Sequence, residues 1–80
     1  MQPEEIKALL EAALDDCEIR VAGEGNRFDI LAIGELFAEL RPVKKQQLVY
    51  AVLNPHIADG TIHAVNIRTF TPAQWASQSS

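Results

Sequence analysis

Two alternating runs bracket one cluster of turn residues, and this pairing constrains the fold more than any other feature of the chain. Cys17, Ile19 and Val21 alternate with Glu18 and Arg20, the period-two pattern of a half-buried strand. Gly23-Glu24-Gly25-Asn26 supplies turn residues, and Arg27 to Ile33 reads as the returning strand, so an antiparallel hairpin is expected.

Helical periodicity surrounds the hairpin. Pro3 suits a first helical position, Glu4 and Glu5 suit the positive end of a helix, and Ile6, Leu9, Leu10, Ala13 and Leu14 recur at helical spacing. A helix over residues 3 to 15 follows. Gly34 breaks the second strand, and Glu35 to Leu40 reads as one helical turn closed by Arg41-Pro42. Pro42 opens a further helix expected to run to Leu53, with Asn54-Pro55 ending it because the residue before proline avoids helical angles. Thr61 to Phe70 makes the third strand, and Thr71-Pro72 reads as the cap and first position of a terminal helix through Trp75. The helix between the second and third strands is a crossover, so those strands should run parallel. The expected fold is α+β: a three-stranded mixed sheet with helices, in the order α-β-β-α-α-β-α, in one domain over residues 1–76 with a polar tail at 77–80.

Composition narrows the function. A chain of 80 residues buries little more than about 60% of its unfolded surface, which argues against a large enclosed active-site cavity. The single cysteine, Cys17, cannot close an internal disulfide and fits a reducing compartment, so a cytoplasmic location is expected. No leader-like segment and no apolar run near the roughly 18 residues of a membrane span is visible. Residues 1–39 carry ten acidic and three basic side chains, whereas residues 40–80 carry one acidic and four basic, so the molecule should be polarised. The nucleophile–base pair, the paired carboxylates and the metal triad that catalysis would need are not visible, so no enzymatic role is expected. Gly23-x-Gly25 is a hairpin turn, because a nucleotide fingerprint needs a third glycine opening a helix.

One histidine stands out. Ile62-His63-Ala64-Val65-Asn66-Ile67 sets His63 at the mouth of an apolar strand, just after an Asp59-Gly60 turn. Parallel second and third strands start at the same edge of the sheet, so His63 should lie near the hairpin loop, and the connection Asn54 to Gly60 brings His56 toward the same edge. Cys17 begins the antiparallel strand and belongs at the other edge, on the order of 15 to 20 Å away. With acidic Asp15, Asp16 and Glu18 beside it, it is read as a packed thiol rather than a ligand. Taken alone, His63 reads first as a partly buried structural histidine bonded to a loop carbonyl, and only the blocks around it turn the reading toward a ligand or partner contact.

Three blocks carry a resemblance: Val43-Lys44-Lys45-Gln46-Gln47-Leu48-Val49-Tyr50, the His63 run, and Thr71-Pro72-Ala73-Gln74-Trp75. In order and spacing they resemble the BolA family, and within it the small acid-stress branch, over about Ile6 to Trp75. The resemblance implies a fold similar to a type II KH domain, and an adaptor that pairs with a monothiol glutaredoxin. In such a pair a 2Fe-2S cluster is shared: glutaredoxin supplies a cysteine thiolate, glutathione a second sulfur, and the BolA-like chain a histidine, here His63. Imidazole is chemically suited to this, since its neutral nitrogen binds iron and raises the cluster potential relative to thiolate.

The family's second ligand comes from the hairpin loop, and here the sequence departs from the pattern. The acid-stress branch usually reads His-Phe where this chain reads Arg27-Phe28, and a guanidinium stays protonated and cannot coordinate iron. Three readings stay open: His56 substitutes; Glu24 or water completes the site; or the pair associates without a cluster and Arg27 contributes charge. No self-contained cluster is expected in the isolated chain. Arg41, Lys44 and Lys45 are either a solvated helix start or part of a partner surface flanking the hairpin loop. They also carry the alternative function, a KH-like or helix-turn-helix nucleic-acid-binding regulator. Against it stand the absent Gly-x-x-Gly loop, the packing-like spacing of Tyr50, Phe70 and Trp75, and a sequence pI near 4.9. Homodimer formation is left open.

Overall fold

An amphipathic hairpin must cover its apolar face, and here two helices and a short 3-10 turn do so, while a third strand widens the sheet. The computed structural model describes residues 2–79 and runs α1 (Pro3–Ala13), β1 (Glu18–Glu24), β2 (Arg27–Ile33), a 3-10 turn (Glu35–Glu39), α2 (Pro42–Ala58), β3 (Ala64–Phe70) and α3 (Pro72–Ser79). The sheet order is β1-β2-β3, with β1 antiparallel and β3 parallel to β2. This is the α+β mixed-sheet arrangement expected from the sequence. No helix among the described residues is long and apolar enough to cross a membrane.

Strand alternation splits the sheet into two unlike faces. Ile19, Phe28, Ile30, Ala32 and Ile67 point inward and are buried together with Ile6 and Leu10 of α1, Phe37 of the 3-10 turn, and Val49 and Leu53 of α2. Each fully buried side chain of this size contributes roughly 1.5–3 kcal/mol by leaving water. On the other face, α3 covers only one end. Thr71 and Gln74 cap that helix reciprocally: Thr71 Oγ1 accepts the Gln74 N–H at 3.2 Å, and Gln74 Oε1 accepts the Thr71 N–H at 2.9 Å. Trp75 then packs on Phe70 with ring centroids 5.4 Å apart.

Five boundaries differ from the sequence expectation, and for four of them the reason is local. First, α1 stops at Ala13 rather than 15, because Leu14 is already extended and Asp16 takes φ +56°, while Asp15 and Asp16 would sit at the negative end of a longer helix. Second, the turn contracts to Gly25-Asn26: Gly23 and Glu24 pair with Phe28 and Arg27, and Gly25 takes φ +61°, as a two-residue hairpin requires. A Cβ at Gly23 would collide with the Arg27 carbonyl oxygen and come within 2.7 Å of the Phe28 ring, so glycine is needed there for close approach.

Third, α2 does not end at Leu53 but passes through Pro55 to Ala58. The bond Pro55 cannot donate would go to the Ala51 carbonyl, and both residues are exposed, so water can satisfy that carbonyl. The extra turn packs Ile57 against the core and turns the His56 carbonyl toward the Ile62 N–H, which donates to it at 3.0 Å. Fourth, β3 begins at Ala64 rather than Thr61. The Thr61 N–H is engaged by Asp59 Oδ1 at 2.8 Å and the Ile62 N–H by His56, so neither is free for the ladder. The terminal helix also continues past Trp75 to Ser79, across most of the segment read as a tail; Ser80 lies outside the described residues.

Candidate functional site

The parallel register places Arg27 of β2 opposite Ala64 of β3, so the hairpin turn and the start of β3 share one edge of the sheet. There the Asn26 carbonyl accepts two hydrogen bonds, from the His63 N–H at 2.8 Å and the Ala64 N–H at 3.2 Å. These hold the His63 main chain against the turn while its side chain remains exposed. The loop carbonyl expected as a partner for a structural histidine is present, but it binds the main chain. The imidazole is left at the rim, where another molecule can reach it.

The other expected residues distribute around this edge and away from it. Arg27 is exposed at the last ladder position before the turn, and Glu24 pairs with it across the hairpin. His56 is half-buried on the last turn of α2. The nearby Asp59 carboxyl is held below the usual carboxylate range chiefly by hydrogen bonding from Thr61 and, to a lesser degree, by His56. Among the described residues no group of three or more His, Cys, Asp or Glu side chains is arranged to hold a metal ion. The edge therefore presents His63 as a single available imidazole, and any metal centre there must be completed from outside.

Cys17 lies beside Gly34, past the far end of β2, some 20 Å along the strand from the His63 edge. Burial, reinforced by Asp16 and Asp15, pushes its thiol above the ordinary range. Arg41, Lys44 and Lys45 also lie away from His63. Helix α2 runs from the end of β2 toward the start of β3, with Gln46 donating to the Ile67 carbonyl, three residues into β3, at 3.1 Å. Lys44 and Lys45 therefore stand back from the His63 edge, roughly 17 Å of helix before His56. Val43, 59% exposed between those cations, is the apolar residue that the sequence reading passed over; only its position on the outer side of α2 distinguishes it from a core valine.

Fold and sequence comparisons agree on the class. A family model described as BolA-like protein matches residues 2–74. The chain belongs to the BolA family. It is 49% identical over 76 residues, 95% of this chain and 90% of the relative, to the acid stress protein IbaG of Escherichia coli K12. It is 34% identical over 74 residues, 92% of this chain and 66% of the relative, to the DNA-binding transcriptional regulator BolA of Vibrio cholerae. Among solved structures, a bolA protein homologue from Coxiella burnetii superposes with a TM-score of 0.81 at 25% identity, covering 95% of this chain and 97% of the other.

Proposed function

We propose that this chain is a non-enzymatic adaptor that pairs with a monothiol glutaredoxin and takes part in sensing or trafficking of a 2Fe-2S cluster, with His63 as its ligand. The observation that carries this reading is the exposed His63 imidazole on a main chain pinned to the hairpin turn by Asn26. A ligand shared between two proteins needs that combination: a side chain open to the partner on a backbone that does not move when the partner arrives. The cluster is cargo held between molecules; glutaredoxin and glutathione supply the sulfurs and this chain an imidazole nitrogen. Arg27, beside the site and permanently charged, cannot be a ligand and instead offers hydrogen bonds to an anionic partner group. His56, half-buried on the last turn of α2, is the second imidazole on this side of the fold.

Anaerobic reconstitution with a monothiol glutaredoxin and glutathione, followed by visible absorption and circular dichroism, tests the proposal. A mixed-complex spectrum distinct from glutaredoxin alone, and lost in His63→Ala, is expected. An unchanged spectrum in His63→Ala would remove the ligand role.

A second reading has an observation of its own. The first turn of α2 carries Lys44 and Lys45 after Arg41 with no acidic residue among them. This surface suits weak nucleic-acid binding, the activity named for the Vibrio relative. It predicts a salt-dependent mobility shift of DNA that disappears in Lys44→Glu/Lys45→Glu.

A further inference from the structure

The sheet face opposite the core is covered by α3 at one end only, and the strand register orders what remains into cross-strand rows. The row under α3 holds Ile33 and Phe70. In the next row Leu31, half-buried on the central strand, lies between Arg20 on β1 and Arg68 on β3. Arg20 is held in place by Glu18, 2.6 Å away, and by the Trp75 ring, 5.4 Å from its guanidinium carbon. Arg68 is exposed and makes no ion pair among the described residues. One row further, the central strand carries Asp29. Together these line an open depression of about 420 Å³ beside Trp75, and none of it is used by the His63 site.

We infer that this depression docks an amphipathic helix of another protein, one that carries two carboxylates with an apolar side chain between them. The spacing selects that shape. Arg20 and Arg68 stand two inter-strand steps apart, about 10 Å. Carboxylates at positions i and i+7 of a helix lie on one face about 10.5 Å apart, with i+3 or i+4 between them. A helix crossing the strands beside α3 therefore sets one acid on each arginine and its apolar residue on Leu31 against Trp75. From Leu31 to Arg27 the sheet runs about 13 Å, room for one helix of roughly 10 Å diameter. Asp29 then faces the flank of that helix away from α3, so a basic residue there fixes its orientation. Guanidinium groups favour this pairing because they bind carboxylates bidentately, and Arg20 is already oriented by stacking on Trp75.

The chain's own α1 has exposed Glu4, Ala8 and Glu11 at i, i+4 and i+7. Ala8 is too small to fill the shelf over Leu31. A foreign helix with a larger apolar residue fits better.

The test titrates a synthetic helical peptide of about 15 residues, with Glu at i and i+7 and Leu at i+4, into the isotopically labelled full chain and follows amide shifts. Saturable shifts at Arg20, Leu31, Arg68 and the Trp75 indole are expected. Affinity should fall at least ten-fold when both Glu are Gln, and at least ten-fold for Arg68→Gln with an unchanged melting temperature. Equal affinity for the Gln peptide, or shifts centred on Arg41 to Lys45, would overturn the assignment. So would sedimentation showing self-association that Arg68→Gln abolishes, which makes α1 the occupant, or tighter binding of a single-stranded oligonucleotide at the same resonances. None of these readouts involves a cluster, so the outcome is separate from that of the glutaredoxin experiment.

Discussion

The carbonyl of Asn26 holds the main chain of His63 at 2.8 Å, and the same oxygen accepts the next N–H in the chain. A turn of two residues thereby sets where β3 begins and leaves the imidazole outside. The positive φ of Gly25 is what lets the turn close in two residues.

A side chain at Gly25 meets no neighbour, so its cost is conformational alone. Gly25→Ala should destabilise the chain by about 1 kcal/mol, the cost of placing an L-residue in the left-handed region. It should also speed hydrogen exchange of the His63 and Ala64 amides more than that of core amides. Urea denaturation and exchange rates measure the two effects; equal acceleration across all amides would mean that the turn does not act on His63 in particular.

Gly23 is constrained by space rather than by φ. Its pairing partner Phe28 and the neighbouring Arg27 carbonyl crowd the position where a Cβ would go, and main chain cannot swing aside as a side-chain tip can. Gly23→Ala is expected to cost about 1–3 kcal/mol, the range for forced overpacking. A melting temperature within a degree of the parent would contradict this.

Helix α2 contains one residue that works against it and one that secures it. Pro55→Ala restores a main-chain donor to the exposed Ala51 carbonyl and should raise stability by about 1 kcal/mol, less than the full proline penalty because the unfolded chain also gains freedom. Leu53→Ala should lower stability by about 2–5 kcal/mol, since Leu53 is fully buried between α2 and the sheet. Chemical denaturation of both variants gives the signs directly, and a loss of stability in Pro55→Ala would show that the ring makes packing contacts worth more than the hydrogen bond.

Cys17 is protected by its surroundings. Desolvation first, then Asp16 and Asp15, raise its pKa, so the folded chain keeps the neutral thiol at pH values where the unfolded chain has begun to ionise. The sign follows: the stability associated with this group is fully present below the unfolded thiol value and is lost as pH rises through the folded one. Iodoacetamide labelling should be slower in the folded chain than in urea, with its pH midpoint displaced upward; Asp16→Asn should move the midpoint back down. A folded midpoint at or below the unfolded one would refute the protection.

Exchange of His63 for Ala should leave folding nearly untouched, within about 0.5 kcal/mol, because the side chain is exposed and the Asn26 bond is made by the main chain. This makes the variant a clean control for the cluster experiment. A large loss of stability would mean that the imidazole is a structural group after all.

Local chemistry alone determined a good deal of this molecule. Period-two spacing located β1 and helical spacing α1, while turn residues, prolines and caps marked the other elements; the short connection between β1 and β2 required antiparallel pairing; and the helix between β2 and β3 required a parallel crossover. From that topology the meeting of His63 with the hairpin turn, and the separation of Cys17 from it, were legible without coordinates. Only tertiary structure decided the remainder. Pro55 reads locally as a stop, yet burial of Ile57 and the His56 bond to Ile62 carry α2 past it. That Arg41, Lys44 and Lys45 stand back from the His63 edge depends on the direction in which α2 crosses the sheet. The row Arg20, Leu31, Arg68 comes from three strands distant in sequence, and no periodicity within one strand reveals what its neighbours set beside it. Spacing along a chain reports which side of an element a residue takes; strand register and helix direction decide what it meets there.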